Sequence, residues 1–148
     1  MLLVPEFTWR VVANAATDIG ATDLGNRSHN ELPEIFARNR GFGGDWYLQT
    51  TDGWGRIDVR CLIETDDGAV LDVRYSGWVE ATQKLKDAIA SRRPTEYEDQ
   101  LIRTVWRIET GDSRYQWLNH AVLIGEGRMQ PGDKQGQLGM VHRVFRCG

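Results

Sequence analysis

Six side chains between Asp45 and Arg74 set carboxylates, guanidiniums and a phenol at alternating positions: Asp45, Tyr47, Asp58, Arg60, Asp72 and Arg74. A carboxylate shielded from water is a stronger base than one in bulk solvent. A phenol or guanidinium beside it stabilises the oxyanion that proton removal creates. On that pattern Asp58 is the expected general base, and Tyr47 and Arg60 are the groups that would hold an enolate or oxyanion. Asp45, Arg103, Glu109, Trp117 and Asn119 extend the alternating set and are the expected substrate-binding residues. The competing reading is that these charges coat the solvent face of a sheet, because apolar-in, polar-out is the ordinary arrangement.

Other chemistries find less support. His29, His120 and His142 are widely spaced, with no HxH or HExxH pattern and no evident third ligand, so neither a metal nor a cofactor is expected. Cys61 shares its alternation with Ile57, Val59 and Ile63, which makes it a buried structural thiol. The glycines of "GFGG" precede a strand rather than a helix, so they do not form a phosphate-cradling loop. No serine sits in a GxSxG elbow.

The elements that must position these groups are strands. Period-two alternation marks Phe7–Val12, Asp45–Thr50, Arg56–Thr65, Ala69–Gly77, Leu101–Glu109, Trp117–Gly125 and Leu138–Arg146. Residues 15–44 read as irregular apart from the strand-like "EIFA" at Glu34–Ala37. "EATQKLKDAIASR" is the one helical segment, with Leu85, Ala88 and Ile89 on one face and Pro94 beyond its end. It reads either as a cap over one end of the barrel or as a plain bridge between two strands.

Turn chemistry predicts the register. Asp52-Gly53 reads as a two-residue type I′ loop, setting Leu48 opposite Ile57, Trp46 opposite Val59, Asp45 opposite Arg60 and Tyr47 opposite Asp58. Asp66-Asp67-Gly68 reads as a three-residue loop with Gly68 left-handed. It sets Ile63 opposite Leu71, Cys61 opposite Val73, Val59 opposite Tyr75 and Arg60 opposite Arg74. About eight antiparallel strands with one short helix predict a closed up-and-down barrel, lipocalin-like, with a two-sheet sandwich as the alternative. Trp54 and Trp78, beside turns, are candidates for the mouth of a pocket. "ETGDSRYQWLN" (Glu109–Asn119) is a turn whose centre is structural and whose ends, Glu109 and Asn119, are candidates for the cavity.

"GGDW" (Gly43–Trp46), "RIDVR" (Arg56–Arg60), "TDDG" (Thr65–Gly68), Arg103-Thr104 and "ETGDSRYQWLN" occur in an order that resembles the bacterial and fungal family known as domain of unknown function 3237. The resemblance runs from Gly43 to about Gly127. Of the family's "TPxGxR" turn and glycine-rich stretch, this sequence keeps only Gly25 and Arg27. It implies a small lipocalin-like barrel and no particular reaction.

With 148 residues the chain is sized for one domain. Its 41% hydrophobic and 26% charged residues are those of a globular protein. A net charge of -3 and the absence of a clustered Lys/Arg stripe argue against nucleic acid as a partner. The start "MLLVPEF" is too short for a signal peptide or membrane span, so a cytoplasmic location without membrane association is expected. The expected partner is a small-molecule ligand, with a homodimer as a further possibility. Together these readings predict a cofactor-independent isomerase, lyase or cyclase acting on a small carbonyl-bearing or aromatic metabolite. A non-catalytic ligand-binding or carrier barrel is the alternative.

Overall fold

The computed structural model describes the backbone of residues 2–32, 34–35 and 38–148, and the side chains of those outside 33–42. Among the described residues ten strands and one α-helix follow in order: β1 (Leu3–Ala13), β2 (Thr17–Thr22), β3 (Gly25–Glu31), β4 (Glu34–Ile35), β5 (Arg38–Gln49), β6 (Trp54–Glu64), β7 (Val70–Glu80), α1 (Gln83–Ser91), β8 (Ile102–Glu109), β9 (Leu123–Met129) and β10 (Leu138–Cys147). Nine longer strands and the two-residue β4 form one antiparallel sheet in the order β2-β3-β5-β6-β7-β8-β9-β10-β1-β4.

That order corrects the expectation of a closed eight-stranded barrel. A barrel without the β2–β3 hairpin would close by pairing β1 with β5, but β3 takes that edge of β5, from Asn26–Gln49 to Glu31–Gly44, and the outermost strands of the resulting order, β2 and β4, are not paired with each other among the described residues. β1 pairs instead with β10 along its length and, among the described residues, with β4 at Val11 and Val12. The sheet is therefore barrel-like but open in its pairing among the described residues. One backbone hydrogen bond, Asn14 N–H to the Glu31 carbonyl at 2.8 Å, links the chain just after β1 to the end of β3.

The β2–β3 hairpin corrects the irregular reading of residues 15–44. "TDIGAT" and "GNRSHNE" lack apolar alternation, and their strand conformation comes from pairing, β3 onto β5 and β2 onto β3, rather than from intrinsic propensity. A register shift between Asp18 and Gly20 bulges β2. Gly20 has φ 108°, and Asp18 Oδ1 accepts from both Gly20 N–H and Asn26 Nδ2 at 3.0 Å. Of the "EIFA" segment, Glu34 and Ile35 form β4, whereas Phe36 and Ala37 lie outside the described residues.

The core lies inside the curled sheet. Val73, Ile102, Leu123 and Met129 are fully buried there around an aromatic group in which Trp106 stacks on Tyr75 (3.9 Å between centroids) and meets Trp9 edge-on at 5.5 Å. Helix α1 starts where Thr82 Oγ1 accepts the Leu85 N–H and ends at left-handed Arg92. It buries Leu85 and Ala88.

The β6–β7 register is the one predicted, including Val59 opposite Tyr75 and Arg60 opposite Arg74. The β5–β6 register is not. Thr50 N–H donates to the Trp54 carbonyl at 2.8 Å, enclosing Thr51-Asp52-Gly53 as a three-residue loop, and Asp45 stands opposite Val59 with Leu48 opposite Arg56. The same construction recurs at Thr65–Ala69, where Thr65 N–H donates to the Ala69 carbonyl at 2.8 Å around Asp66-Asp67-Gly68. In both loops the threonine hydroxyl donates to the aspartate two residues on, and Gly53 and Gly68 carry φ of 89° and 87°. The two hairpins thus share a Thr-x-Asp-Gly loop, and the first is one residue longer than a type I′ reading allows.

A Cβ at either glycine would meet nothing within 4 Å, so only the backbone conformation resists substitution there. Gly53→Ala and Gly68→Ala are each expected to lower stability by about 1–2 kcal/mol, measured by urea unfolding. A loss below the detection limit in both would remove positive φ as the loops' requirement.

Candidate functional site

Because side chains alternate, the one-residue slip of β5 moves its whole inward set to the other face. Asp45 and Tyr47 turn inward beside Ile57, Val59 and Tyr75, and with them line an interior cavity of about 290 Å³. Val11 and Ala13 of β1, Leu85 and Ile89 of α1, and Leu138 and Met140 of β10 complete the apolar wall. The helix therefore closes one side, as the capping reading has it. Ser28, Asn30 and His142 are the other polar side chains lining it.

Asp45 Oδ1 accepts the Asp58 backbone N–H at 3.1 Å. Burial pushes its carboxyl up to about 6, opposed by the Asp58 N–H and reinforced by the Asp58 charge. Tyr47 donates its hydroxyl to Gln49 Oε1 at 2.9 Å. Burial, with the Asp45 charge, pushes the phenol up to about 12, so it remains a donor at neutral pH. Its ring needs the glycine at 55: a Cβ there would fall 1.8 Å from the Tyr47 hydroxyl oxygen.

His142 is 1% exposed, and neither ring nitrogen has a hydrogen-bond partner. It stands between Trp9 on β1 and Gly127 on β9, and a Cβ at Gly127 would reach 3.0 Å from its Nδ1. Its ring meets Tyr75 and Trp106 edge-on at 5.3 and 5.4 Å. Burial lowers its pKa to about 4, so the imidazole is neutral.

The remaining charged residues singled out in the sequence alternate with the interior set and occupy the outer face. Asp58 borders an outer-face groove of about 530 Å³ with Arg56, Trp78 and Arg103. Trp78 thus lies on that groove rather than at the mouth of the interior cavity, with Arg56 6.0 Å from its ring centroid. Arg60, Arg74 and Arg107 sit opposite one another across β6, β7 and β8. Arg74 pairs with Asp72 at 2.7 Å, Arg107 with Glu109 at 2.5 Å and Arg103 with Glu126 at 3.7 Å.

The segment expected as a strand from Trp117 instead begins with a 3-10 turn, Gln116–His120, and β9 starts at Leu123. Asn119 makes the turn by a two-point contact: its Oδ1 accepts the Thr110 N–H at 2.8 Å and its Nδ2 donates to the Thr110 carbonyl at 3.0 Å. Tyr115 donates to Asp67 Oδ2 at 2.7 Å, and the Thr110 hydroxyl donates to the Val70 carbonyl at 2.8 Å, fixing this corner to the β6–β7 loop. Trp117 lies under Arg146, half exposed. Neither Trp117 nor Asn119 is a cavity residue.

Of the eight predicted site residues, the structure brings Asp45 and Tyr47 together in the cavity and sets Asp58, Arg60, Arg103 and Glu109 on the outer face. His142 was missed, since a single histidine in an alternating strand carries no motif. Both cysteines are free, and burial, with the Asp72 charge, pushes the Cys61 thiol up to about 12. Among the described residues no three His, Cys, Asp or Glu side chains gather as a metal site, and no helix is long and apolar enough to cross a membrane.

Fold and cavity define a small all-β, barrel-like protein whose inner pocket is apolar apart from a few polar groups. The chain belongs to the family described as "Protein of unknown function (DUF3237)", whose model matches residues 2–147. A UPF0311 protein of Rhodopseudomonas palustris strain TIE-1 is 27% identical over 136 residues, covering 83% of this chain and 86% of that protein. Among solved structures, a protein of unknown function from Clostridium acetobutylicum superposes with a TM-score of 0.79 at 17% identity, covering 100% of both chains. A structure described as an enzyme from Penicillium herquei superposes with a TM-score of 0.59 at 19% identity, covering 97% of this chain and 93% of that one. These likenesses establish the fold.

The two interior titrations pull stability in opposite directions. Asp45 has a folded pKa above its ordinary value, so the stability it contributes is complete below about pH 4 and is lost as pH rises through about 6. His142 has a folded pKa below its ordinary 6.5, so stability falls as pH drops from 6.5 towards 4. Asp45→Asn keeps an acceptor for the Asp58 N–H and removes the buried charge. It is expected to raise stability at pH 8 by on the order of 2 kcal/mol, with the gain gone by pH 4. Urea unfolding of both proteins at the two pH values checks this, and equal stabilities at pH 8 would contradict it.

Proposed function

We propose that the interior cavity binds a small carbonyl-bearing or aromatic molecule and moves a proton on it, with Asp45 as the base and Tyr47, its hydroxyl turned from Gln49 Oε1 towards the substrate, as the hydrogen-bond donor to the oxyanion formed. The observation carrying this is the enclosure of the Asp45 carboxyl and the Tyr47 phenol in one mainly apolar cavity; burial pushes the first up to about 6 and keeps the second protonated. Near neutral pH such a carboxyl is largely ionised yet still holds a proton strongly enough to abstract one from a weak carbon or oxygen acid. The proton taken by Asp45 returns at another atom of the substrate, for isomerisation or cyclisation, or leaves with a departing group, for elimination. No redox partner is required. The description of the Penicillium herquei structure as an enzyme agrees with this reading.

Asp58, first expected as the base, is assigned a supporting part: its N–H holds Asp45 in place and its charge helps to keep the pKa high. Arg60, Arg103 and Glu109 have no part in this chemistry. The carrier reading draws on the mainly apolar lining of the cavity. It predicts saturable binding without product.

A screen of small enolisable ketones and phenols, followed by NMR for isomerised or cyclised product, supplies the assay. Turnover should rise with pH as a single group ionises near 6. Asp45→Asn should reduce kcat by at least about 100-fold, while Tyr47→Phe and Gly55→Ala should fall together, because a methyl at 55 displaces the same hydroxyl. Product formation unchanged in Asp45→Asn would sink the catalytic assignment.

A further inference from the structure

The proton-transfer reading leaves three polar side chains of the cavity unused, Ser28, Asn30 and His142, and of these the imidazole is the buried one. His142 is buried to 1% exposure, lines the cavity, and has both ring nitrogens without a hydrogen-bond partner. An imidazole carries one donor and one acceptor in its neutral form, and leaving both unmet inside a protein is costly. Natural interiors satisfy such groups, and exceptions mark places where something else supplies the partner. The surrounding chain keeps the ring there. Gly127, directly across on β9, leaves room that a Cβ would take, and Tyr75 and Trp106 fix the ring edge-on.

We infer that His142 is a specificity-determining residue whose imidazole hydrogen-bonds an uncharged hydroxyl or carbonyl of the ligand, so that the cavity selects neutral oxygenated aromatic or alicyclic molecules over their carboxylate analogues. This rests on the reading of the cavity as a small-molecule site and names the class of molecule that fits it. Exclusion of carboxylates has a direct electrostatic origin. Asp45 carries a negative charge at the same cavity, and none of the lining residues described is a lysine or arginine. A carboxylate entering would be desolvated beside a like charge with no cation to offset it. A hydroxyl or ketone leaves its bulk solvation at far lower cost and recovers a hydrogen bond at the ring. Tyr75, backed by Trp106, lines the cavity and supplies aromatic surface for the rest of the molecule.

Three probes of one shape separate these effects: 2-naphthol, naphthalene and 2-naphthoate, titrated calorimetrically at pH 7.5 into the full chain. The wild type should bind 2-naphthol about five- to tenfold more tightly than naphthalene, with 2-naphthoate weakest. His142→Leu should bind 2-naphthol and naphthalene equally, and His142→Gln, which keeps a donor and an acceptor, should restore part of the preference. In the wild type, 2-naphthol should also move the imidazole ¹⁵N resonances of His142, a readout that does not depend on any variant folding. An undiminished naphthol preference in His142→Leu, unmoved imidazole resonances at saturation, or 2-naphthoate binding as tightly as 2-naphthol would overturn the inference. Failure of all three probes to bind saturably would overturn it together with the small-molecule reading. A naphthol preference that disappears in His142→Leu, found beside unchanged turnover in Asp45→Asn, supports the inference and removes only the catalytic role of Asp45.

Discussion

The hydrogen bond from Thr50 N–H to the Trp54 carbonyl closes an odd-numbered loop, and that parity decides which side of β5 faces inward. A strand cannot rotate one residue at a time. With three residues in the loop, Asp45 and Tyr47 share a face with Val59 and Tyr75; with two, they would share one with Asp58 and Arg60. The interior polarity of the molecule is therefore set by a turn far smaller than the cavity it furnishes. The loop is held locally by the Thr50 hydroxyl on Asp52 and by the positive φ of Gly53.

Placing a carboxylate on the inward face opposes the tendency that otherwise shapes this sheet, in which Ile57, Val59, Cys61 and Ile63 are buried while Arg56 and Arg60 are exposed. The fold tolerates Asp45 by giving one of its oxygens a backbone N–H and by leaving space rather than packed side chains around it. His142 is tolerated in a parallel way, neutral and boxed by aromatic rings. Both positions weaken the core on their own account, which is the pattern expected where a group is kept for what it does rather than for how it packs.

Much of this was readable from residue patterns, for identifiable reasons. The β6–β7 pairing followed from apolar matching and a loop whose two-residue alternative would have set charges against aliphatics. The β5–β6 loop offered no such conflict. Leu48 against Ile57 and Trp46 against Val59 looked self-consistent, and only the repetition of Thr-x-Asp-Gly at Thr50 and Thr65 pointed to a common loop length. Consequently residue type alone points to Asp45 and Tyr47, whereas a two-residue reading of the turn puts them on the opposite face. The β2–β3 hairpin leaves no trace because β3 takes its conformation from β5 and β2 from β3. The 3-10 turn at Gln116–His120 was hidden because Asn119 acts through its side chain on a residue nine positions earlier. His142 gained its significance only from neighbours on β1, β7, β8 and β9.

The bulge in β2 has a bearing on self-association. A terminal strand with free amides invites a neighbouring molecule to extend the sheet, and long flat edges are the usual route to fibrous assembly. Here the ladder at that margin is broken at Gly20 and locked in its kinked form by Asp18, which grips the Gly20 amide and the Asn26 side chain together. An incoming strand would find its hydrogen-bonding groups out of step after one or two residues. The β2 edge thus carries its own protection against stacking into ribbons, supplied by one carboxylate and one glycine.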